Sequence, residues 1–256
     1  MTRVIAIANQ KGGVGKTTTA INLSAALGHF GKKVLLADMD PQGNAGRGLG
    51  LDINIQDHTI FEALNGKLRA NQCISTTKYE GIDILPANLR LAQFETSQRV
   101  ESSPFSSLKR VFSELPGNHY DYIIIDCPPS LGALCLNSLV ASDSVIIPVQ
   151  CEYFAMEAVA AIVSTITKVH HDMNQKLRIE GFLLTMYDAR TTLGTEVASQ
   201  VRGTFKESTF LTAVPRNQSV SESQGHQMPV TVFRPSSQGA SAYFALAREV
   251  MDHEEK

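Results

Sequence analysis

The chain has 256 residues, a formal net charge of −2 and 43% hydrophobic residues. These values exclude an intrinsically disordered chain, and they exclude a polycation that binds nucleic acid through its overall charge. Any contact with nucleic acid must therefore come from a local basic patch. The length fits one compact α/β domain, so we expect residues 1–256 to form a single domain.

No segment predicts insertion into a membrane or export across one. No apolar run approaches the ~18 residues that a membrane span needs, and Arg3 leads straight into a predicted strand rather than into a secretory leader. The four cysteines lack the spacing of metal ligands and lie mostly beside apolar runs. The sequence therefore predicts a cytoplasmic protein with reduced cysteines.

Short runs of β-branched residues alternate with helical patterns. Several runs are almost wholly apolar, as in strands covered on both faces, and this predicts a three-layer, doubly wound, mostly parallel sheet flanked by helices. The predicted strands span residues 4–8, 33–38, 82–86, 122–126, 144–149, 180–186 and 211–215. The predicted helices span residues 19–27, 104–115, 131–141, 156–170, 191–206 and 239–251. Residues 46–79 are the least periodic and predict a small helix–loop insertion.

The segment after the first predicted strand carries the strongest motif. It reads Asn9-Gln10-Lys11-Gly12-Gly13-Val14-Gly15-Lys16-Thr17-Thr18. Glycines let consecutive N–H groups curl round an anion, and the N-terminus of the following helix adds partial positive charge, so this arrangement predicts a phosphate-binding loop. We expect Lys16 to reach the β- and γ-phosphates of a nucleotide and the Thr17 hydroxyl to bind Mg²⁺. The loop predicts binding of a nucleoside triphosphate.

The start of this loop departs from the common pattern. Gln10 occupies the position of the usual first glycine, and an extra lysine, Lys11, follows it. The sequence Lys-Gly-Gly-Val-Gly-Lys-Thr-Thr resembles the deviant Walker A family of ATPases, which includes the ParA/Soj partition proteins and MinD. The resemblance implies that ATP is the nucleotide and that Lys11 crosses a dimer interface to the partner's nucleotide. The alternative is a lysine on a solvated loop.

Acidic residues follow two predicted strands, at the edge where parallel sheets place their sites. Asp38 and Asp40 end the second predicted strand, and Asp126 ends the fourth after a large apolar run. That run is typical of a Walker B aspartate, which holds Mg²⁺. The resemblance implies that Asp40 orients the attacking water and that Asp38 lies near the Mg²⁺ shell, although Asp40 alone could be a turn residue. Positioning by a weak base predicts slow turnover.

Further matches to this family extend almost end to end. Residues 148–155 resemble its dimer-facing segment, while residues 184–190 and 214–217 resemble its Soj branch. In the resemblance, Pro215 packs on the adenine ring and Asn217 hydrogen-bonds the edge of the base; the alternative is an ordinary loop after a strand. Residues 1–256 are thereby identified as one P-loop ATPase domain of the ParA/Soj family. The family implies an ATP-bound homodimer, non-specific binding to double-stranded DNA near the nucleoid, and hydrolysis stimulated by a ParB-type partner.

The predicted DNA-binding face differs from that family. Close members carry Val-Arg where this chain has Gln218-Ser219. Residues 190–234 hold five basic and three acidic residues, a net charge of +2. This modest charge predicts weak, salt-sensitive DNA binding, carried partly by Arg190 and Arg216. The alternative is that both arginines are simply solvated.

Two other functions remain open. A nucleotide-gated interaction protein could control a replication or cell-division partner with little DNA binding. A membrane-bound positioning ATPase of the MinD type would need a basic amphipathic helix near the C-terminus, whereas residues 251–256 are acidic. The sequence therefore favours the partition ATPase and predicts no membrane partner.

Overall fold

The computed structural model describes residues 2–97, 105–117 and 119–253. The strands are β1 (Arg3–Ile7), β2 (Val34–Asp38), β3 (Ser75–Thr76), β4 (Ile82–Leu85), β5 (Tyr122–Asp126), β6 (Ser144–Gln150), β7 (Arg178–Tyr187) and β8 (Thr209–Pro215). They form one eight-stranded sheet in the order β3-β4-β2-β5-β1-β6-β7-β8. Among these described strands, β3 alone pairs antiparallel to its neighbour. The predicted mostly parallel, doubly wound sheet is confirmed.

Helices cover both faces of the sheet. They are α1 (Lys16–His29), α2 (Asn44–Gly48), α3 (Ile60–Leu64), α4 (Ala70–Cys73), α5 (Ala92–Ser97), α6 (Ser107–Ser113), α7 (Ala133–Ala141), α8 (Ala155–Asp172), α9 (Thr192–Phe205), α10 (Gln218–Gly225), α11 (Val230–Phe233) and α12 (Gln238–Asp252). One apolar cluster packs α3 to α9 on one face, and a second packs α1, α11 and α12 on the other. These two clusters complete the predicted three layers.

The seven predicted strands all form, with ends displaced by at most two residues. Helix α1 begins at Lys16 rather than residue 19, because Gly15 caps it in a left-handed conformation with φ +89°. The helix predicted from residue 104 begins outside the described residues, and its described part is α6. The predicted insertion contains α3, α4 and β3. Sequence periodicity missed β3, because a two-residue strand is too short to show alternation.

The register of the central strands places the predicted site residues at one edge. Asp126 lies opposite Ile7, the last residue of the strand β1 that leads into the phosphate loop, and opposite Asp38 of β2. The carboxyl ends of parallel strands meet at the same edge of a sheet. The loop after β1 and both strand-end aspartates therefore converge there.

Candidate nucleotide-binding site

The phosphate loop joins β1 to α1 through two glycines with positive φ. Gly13 has φ +74° and Gly15 has φ +89°, values that residues with a Cβ rarely adopt. The first backbone bond of the helix is donated by Thr19 N–H to Gly15 O at 2.8 Å. The N–H groups before Thr19 belong to the first turn, where a helix leaves its donors for an outside acceptor. The loop therefore presents the backbone of an anion site.

Lys16 is a buried cation at the centre of this loop. Its side chain is 7% exposed, and its Nζ donates to Lys11 O at 3.1 Å. Burial lowers the pKa of Lys16, and the nearby Asp126 carboxylate opposes that shift in part. A phosphate group would supply the negative charge that a desolvated ammonium needs.

Asp38 holds the turn that carries Asp40. It is fully buried and accepts hydrogen bonds from the N–H groups of Asp40 at 3.0 Å, Ala45 at 3.1 Å and Gly46 at 3.4 Å. Burial raises the pKa of Asp38 to about 7, and these backbone donors oppose the shift. Its carboxylate thus ties the end of β2 to the first turn of α2. The predicted contribution of Asp38 to a metal shell stays a prediction.

Asp126 is a buried carboxylate close to the Lys16 ammonium. It is fully buried, and within the described part of the chain neither carboxylate oxygen forms a regular hydrogen bond. Burial is the largest cause that raises its pKa, followed by the charge of Asp38, while the Thr17 hydroxyl is close enough to lower the pKa. A carboxylate in this state is costly unless a cation accompanies it.

The donor set around Asp126 suits a hard cation. Thr17 and Asp126 supply oxygen donors of the kind that Mg²⁺ prefers, and Mg²⁺ usually completes its shell with water and substrate phosphates rather than with an all-protein cage. Accordingly, no group of three or more His, Cys, Asp or Glu side chains in the described ranges could hold a metal by itself. The residues present therefore fit a nucleotide-bound Mg²⁺.

Asp40 lies in a tight turn at the same edge. Its Oδ1 accepts from Gln42 N–H at 2.9 Å, and its backbone O accepts from Gly43 N–H at 2.9 Å. Gly43 has φ +65°, and a Cβ there would come within 2.4 Å of Ile53 and 2.7 Å of Ala87 O. Ile53 and Ala87 pack against the turn at Gly43, and this packing restricts the positions that the Asp40 side chain can take. The charge of Asp40 acts on both Lys16 and Asp126, so the structure brings these three together.

Lys11 occupies the outer side of the loop. Its side chain is 31% exposed, its Nζ lies 3.8 Å from Glu152 Oε2, and its N–H donates to Asn9 Oδ1 at 3.0 Å. Beside Glu152, the rings of Tyr153 and Phe154 pack edge to face and are 78% and 58% exposed. An accessible cation and an exposed aromatic pair thus lie on one surface of the protein.

Pro215 and Asn217 line a pocket that continues from the phosphate loop. Gly15 and Thr18 form the loop side of this pocket. Asn217 Oδ1 accepts from Ser219 N–H at 3.1 Å and so caps α10. Residues 214–217, which we call the base turn because the resemblance places the adenine there, and the phosphate loop are therefore two walls of one cavity.

The sequence did not predict the contacts of three residues of the site, which are buried or bridge two segments. Thr185 Oγ1 donates to Val14 O at 2.9 Å, and Gln224 Nε2 donates to Thr18 Oγ1 at 2.6 Å. Glu152 contacts both Lys11 and Arg216, the latter at 3.3 Å. Thr185 and Glu152 lie in segments that resemble the family, but the partners of all three residues lie far away in sequence, so the sequence did not indicate these contacts.

The two arginines predicted to contact DNA are both exposed and both paired with acids. Arg190 is 89% exposed and forms two hydrogen bonds to Asp188, at 2.9 and 2.8 Å. Arg216 pairs with Glu152 at 3.3 Å. Asp188 and Glu152 lie outside the 190–234 window, so the charge count for that window overstates the positive charge of this surface. Across the ranges that the structure covers, no helix is both long enough and apolar enough to span a bilayer.

Comparison with known proteins identifies relatives over nearly the whole chain. A family described as an AAA domain matches residues 2–179. The chain is 46% identical over 250 residues to the sporulation initiation inhibitor protein Soj of Bacillus subtilis, with 98% of each chain covered. It is 44% identical over 249 residues to the chromosome partitioning protein ParA of Myxococcus xanthus, which covers 97% of this chain and 88% of that one.

A solved structure with a similar fold holds a nucleotide. The structure of cobyrinic acid a,c-diamide synthase from Mycobacterium smegmatis with bound ADP and magnesium matches with a TM-score of 0.88 and 38% identity. The match covers 100% of this chain and 96% of that chain. The likeness therefore includes both the phosphate loop and the base turn.

Proposed function

This chain belongs to the family of ParA and Soj partition ATPases, and from that membership we propose that it is an ATP-dependent dimerising switch in chromosome or plasmid partition. In the proposal, residues 1–256 act as one P-loop ATPase domain that binds ATP and Mg²⁺. One observation carries it: the cations Lys16 and Lys11 belong to the same loop, and Lys16 lies near the buried Asp126 carboxylate. This arrangement suits a bound triphosphate with its metal.

The phosphate loop binds the nucleotide. The N–H groups of residues 12–18 surround the β-phosphate, and Lys16 shifts its Nζ from Lys11 O to the β- and γ-phosphates. Pro215 packs against the adenine ring and Asn217 hydrogen-bonds its edge, since both line the pocket that continues from Gly15. The binding residues are thus spread over the first and last thirds of the chain.

Thr17 and Asp126 would hold Mg²⁺, with Asp38 supporting them from the neighbouring strand. When bound, Mg²⁺ neutralises charge on the phosphates. The protein buries Asp126, which raises the pKa of this carboxyl, and beside a bound Mg²⁺ the pKa would fall again so that Asp126 would be ionised. Asp38 meanwhile keeps the Asp40 turn attached to the end of β2.

Asp40 orients the attacking water. Its turn is fixed by the glycine at position 43 and by packing on Ile53, so the carboxylate can hold a water in line with the γ-phosphate. Because a carboxylate is a weak base, it positions water more than it removes a proton. Intrinsic turnover in the proposal is therefore slow.

Lys11 couples nucleotide binding to dimerisation. In one protomer it lies against Glu152, and in the proposed sandwich dimer it leaves Glu152 for the partner's nucleotide phosphates. The exposed Tyr153 and Phe154 beside it offer apolar area to a second copy. The dimer binds double-stranded DNA non-specifically at the nucleoid in the cytoplasm, and a ParB-type protein stimulates hydrolysis.

Sedimentation of the wild type and Lys11→Ala with a non-hydrolysable ATP analogue tests this proposal. We expect the wild type to dimerise and the variant to bind nucleotide as a monomer, because an unpaired buried charge partner costs on the order of 3–5 kcal/mol. Lys67→Ala, which removes an exposed lysine between α3 and α4, is the matched control. A normal dimer of Lys11→Ala would show that Lys11 is only a loop lysine.

A second function is favoured by one observation. Because Arg190 and Arg216 are each paired with an acid, this surface offers few free charges to phosphates. The chain could instead act as a nucleotide-gated interaction protein that controls a replication or cell-division partner. DNA binding measured at low and moderate salt, with and without ATP, separates the two functions. The absence of binding even at low salt would favour the second.

A further inference from the structure

Strand β7 contains a bulge where it passes under the phosphate loop. Leu184 pairs with Ala213 and Tyr187 pairs with Pro215. Between these two pairs, β7 therefore advances by three residues while β8 advances by two. One extra residue is therefore accommodated between these pairs. Met186 has φ +51°, the left-handed conformation that glycine usually supplies at such a bulge.

The bulged segment is hydrogen-bonded to three separate parts of the site. Thr185 Oγ1 donates to Val14 O of the phosphate loop at 2.9 Å. Thr185 O accepts from Cys151 N–H at 3.2 Å, next to the Glu152 that contacts Lys11. Tyr187 O accepts from Arg216 N–H at 3.1 Å in the base turn. Thr185 is 2% exposed, so water does not replace these bonds easily.

The bond to Val14 has an electrostatic consequence. Val14 lies between Gly13 and Gly15, whose left-handed conformations direct neighbouring N–H groups into the loop. A carbonyl oxygen that turned into the same concavity would repel the phosphates. By donating to Val14 O, the Thr185 hydroxyl holds that oxygen on the sheet side.

We propose that Thr185 and the left-handed Met186 are positioning residues that fix the phosphate loop and the base turn at the separation one nucleotide requires. Thr185 sets the loop, and the bulge at Met186 sets how far the base turn lies from it. Backbone strain in a residue that lines a ligand pocket fits such a function, because the surrounding contacts must maintain it. The inference rests on the proposed nucleotide site and adds to it the means by which its two halves are aligned.

Two pairs of variants test the alignment, with a non-hydrolysable ATP analogue and inorganic tripolyphosphate as the ligands. Thr185→Val keeps the shape but removes the donor, and we expect about tenfold weaker binding of both ligands, as loss of a buried neutral hydrogen bond implies. Thr185→Ser should recover most of that affinity. Met186→Val disfavours φ > 0, and we expect about tenfold weaker binding of the ATP analogue with little change for tripolyphosphate. Met186→Gly should retain more affinity than Met186→Val.

The outcomes separate this inference from the proposed function. If the wild type binds neither ligand, the nucleotide site itself is wrong. If the wild type binds both but Thr185→Val and Thr185→Ser behave alike, the hydroxyl does not position the loop. If Met186→Val weakens both ligands equally, the bulge does not align the two halves. Urea unfolding midpoints of the four variants identify any that lose affinity only because they unfold.

Discussion

The phosphate loop and the arginine surface both carry cations, yet the protein treats them in opposite ways. Lys16 is 7% exposed, its Nζ donates to Lys11 O, and it lies near the buried Asp126, whose carboxylate oxygens form no regular hydrogen bond among the described residues. Arg190 is 89% exposed and bound to a neighbouring carboxylate. Buried charges that lack a close ion pair favour binding of a charged ligand, because the ligand offsets their cost of desolvation. Exposed charges that already form an ion pair attract a ligand only weakly. Burial and pairing, rather than the number of charges, distinguish the two regions.

Lys16→Ala should give the largest effect of these variants, because it removes the buried cation of the phosphate loop and so weakens ATP binding. The lysine makes charge-assisted bonds worth about 1.5–3 kcal/mol each, so losing two of them weakens ATP binding by at least ~100-fold. Titration with a fluorescent ATP analogue measures the change. Lys33→Ala, at the opposite end of β2, is the control. Unchanged ATP affinity would remove the basis for the nucleotide site.

Asp40→Ala should leave the buried charges in place and remove only the positioning of water. We expect ATP binding and dimerisation to persist while hydrolysis falls about 100-fold, the size of effect that misplacing a reacting group produces. Phosphate release measured in single turnovers reports the rate. Asp52→Ala removes an exposed acid nearby and should hydrolyse ATP normally. Wild-type turnover in Asp40→Ala would make Asp40 a turn residue.

Arg190→Glu tests the exposed side of the comparison. Each phosphate contact contributes about 0.9 to the slope of log affinity against log salt, and a dimer carries two copies of Arg190, so the slope should fall by about 2. All DNA sequences should be affected alike, with ATPase activity retained. A salt series of filter-binding assays with the Asp40→Ala dimer measures it. An unchanged slope would mean that Arg190 does not touch DNA.

Asp188→Asn should give the smallest effect and the opposite sign. The bonds from Arg190 hold the pKa of Asp188 at about 2, below its ordinary value, so Asp188 keeps its charge and its pair at every pH used for binding assays. Its amide variant frees Arg190, and DNA affinity should rise a few-fold at low salt. Lowering the pH from 7 to 5 should not raise the DNA affinity of the wild type by protonating Asp188, because this carboxylate stays ionised at pH 5. A DNA affinity of Asp188→Asn equal to that of the wild type at low salt would contradict the pairing.

The sequence predicted those site residues whose functional groups lie within one short segment of the chain, and it did not predict contacts between distant segments. The phosphate loop lies within ten consecutive residues, and Asp126 follows its own apolar strand, so both could be identified from the pattern alone. The engagement of Asp38 with backbone donors could not, because it depends on how the turn after β2 folds back. The ion pairs of Arg190 and Arg216 were not predicted, because their partners Asp188 and Glu152 lie outside residues 190–234, over which the charge was summed. Thr185 and Met186 depend on the pairing of β7 with β8, which no local pattern encodes.

The position of β1 in the sheet has a consequence for biosynthesis. The phosphate loop is made within the first 18 residues, yet β1 pairs with β5 and β6, and the base turn includes Asn217. At ~5–20 residues per second, a ribosome needs roughly 10–40 s to add the residues between these two parts. The loop lacks its neighbouring strands until residues 122–150 have been made, and it lacks the far wall of its pocket until residue 217 has been made. A nascent chain therefore gains both walls of this pocket only when nearly all of it has been synthesised. In the proposed function, dimerisation through bound ATP is accordingly restricted to chains that are nearly complete.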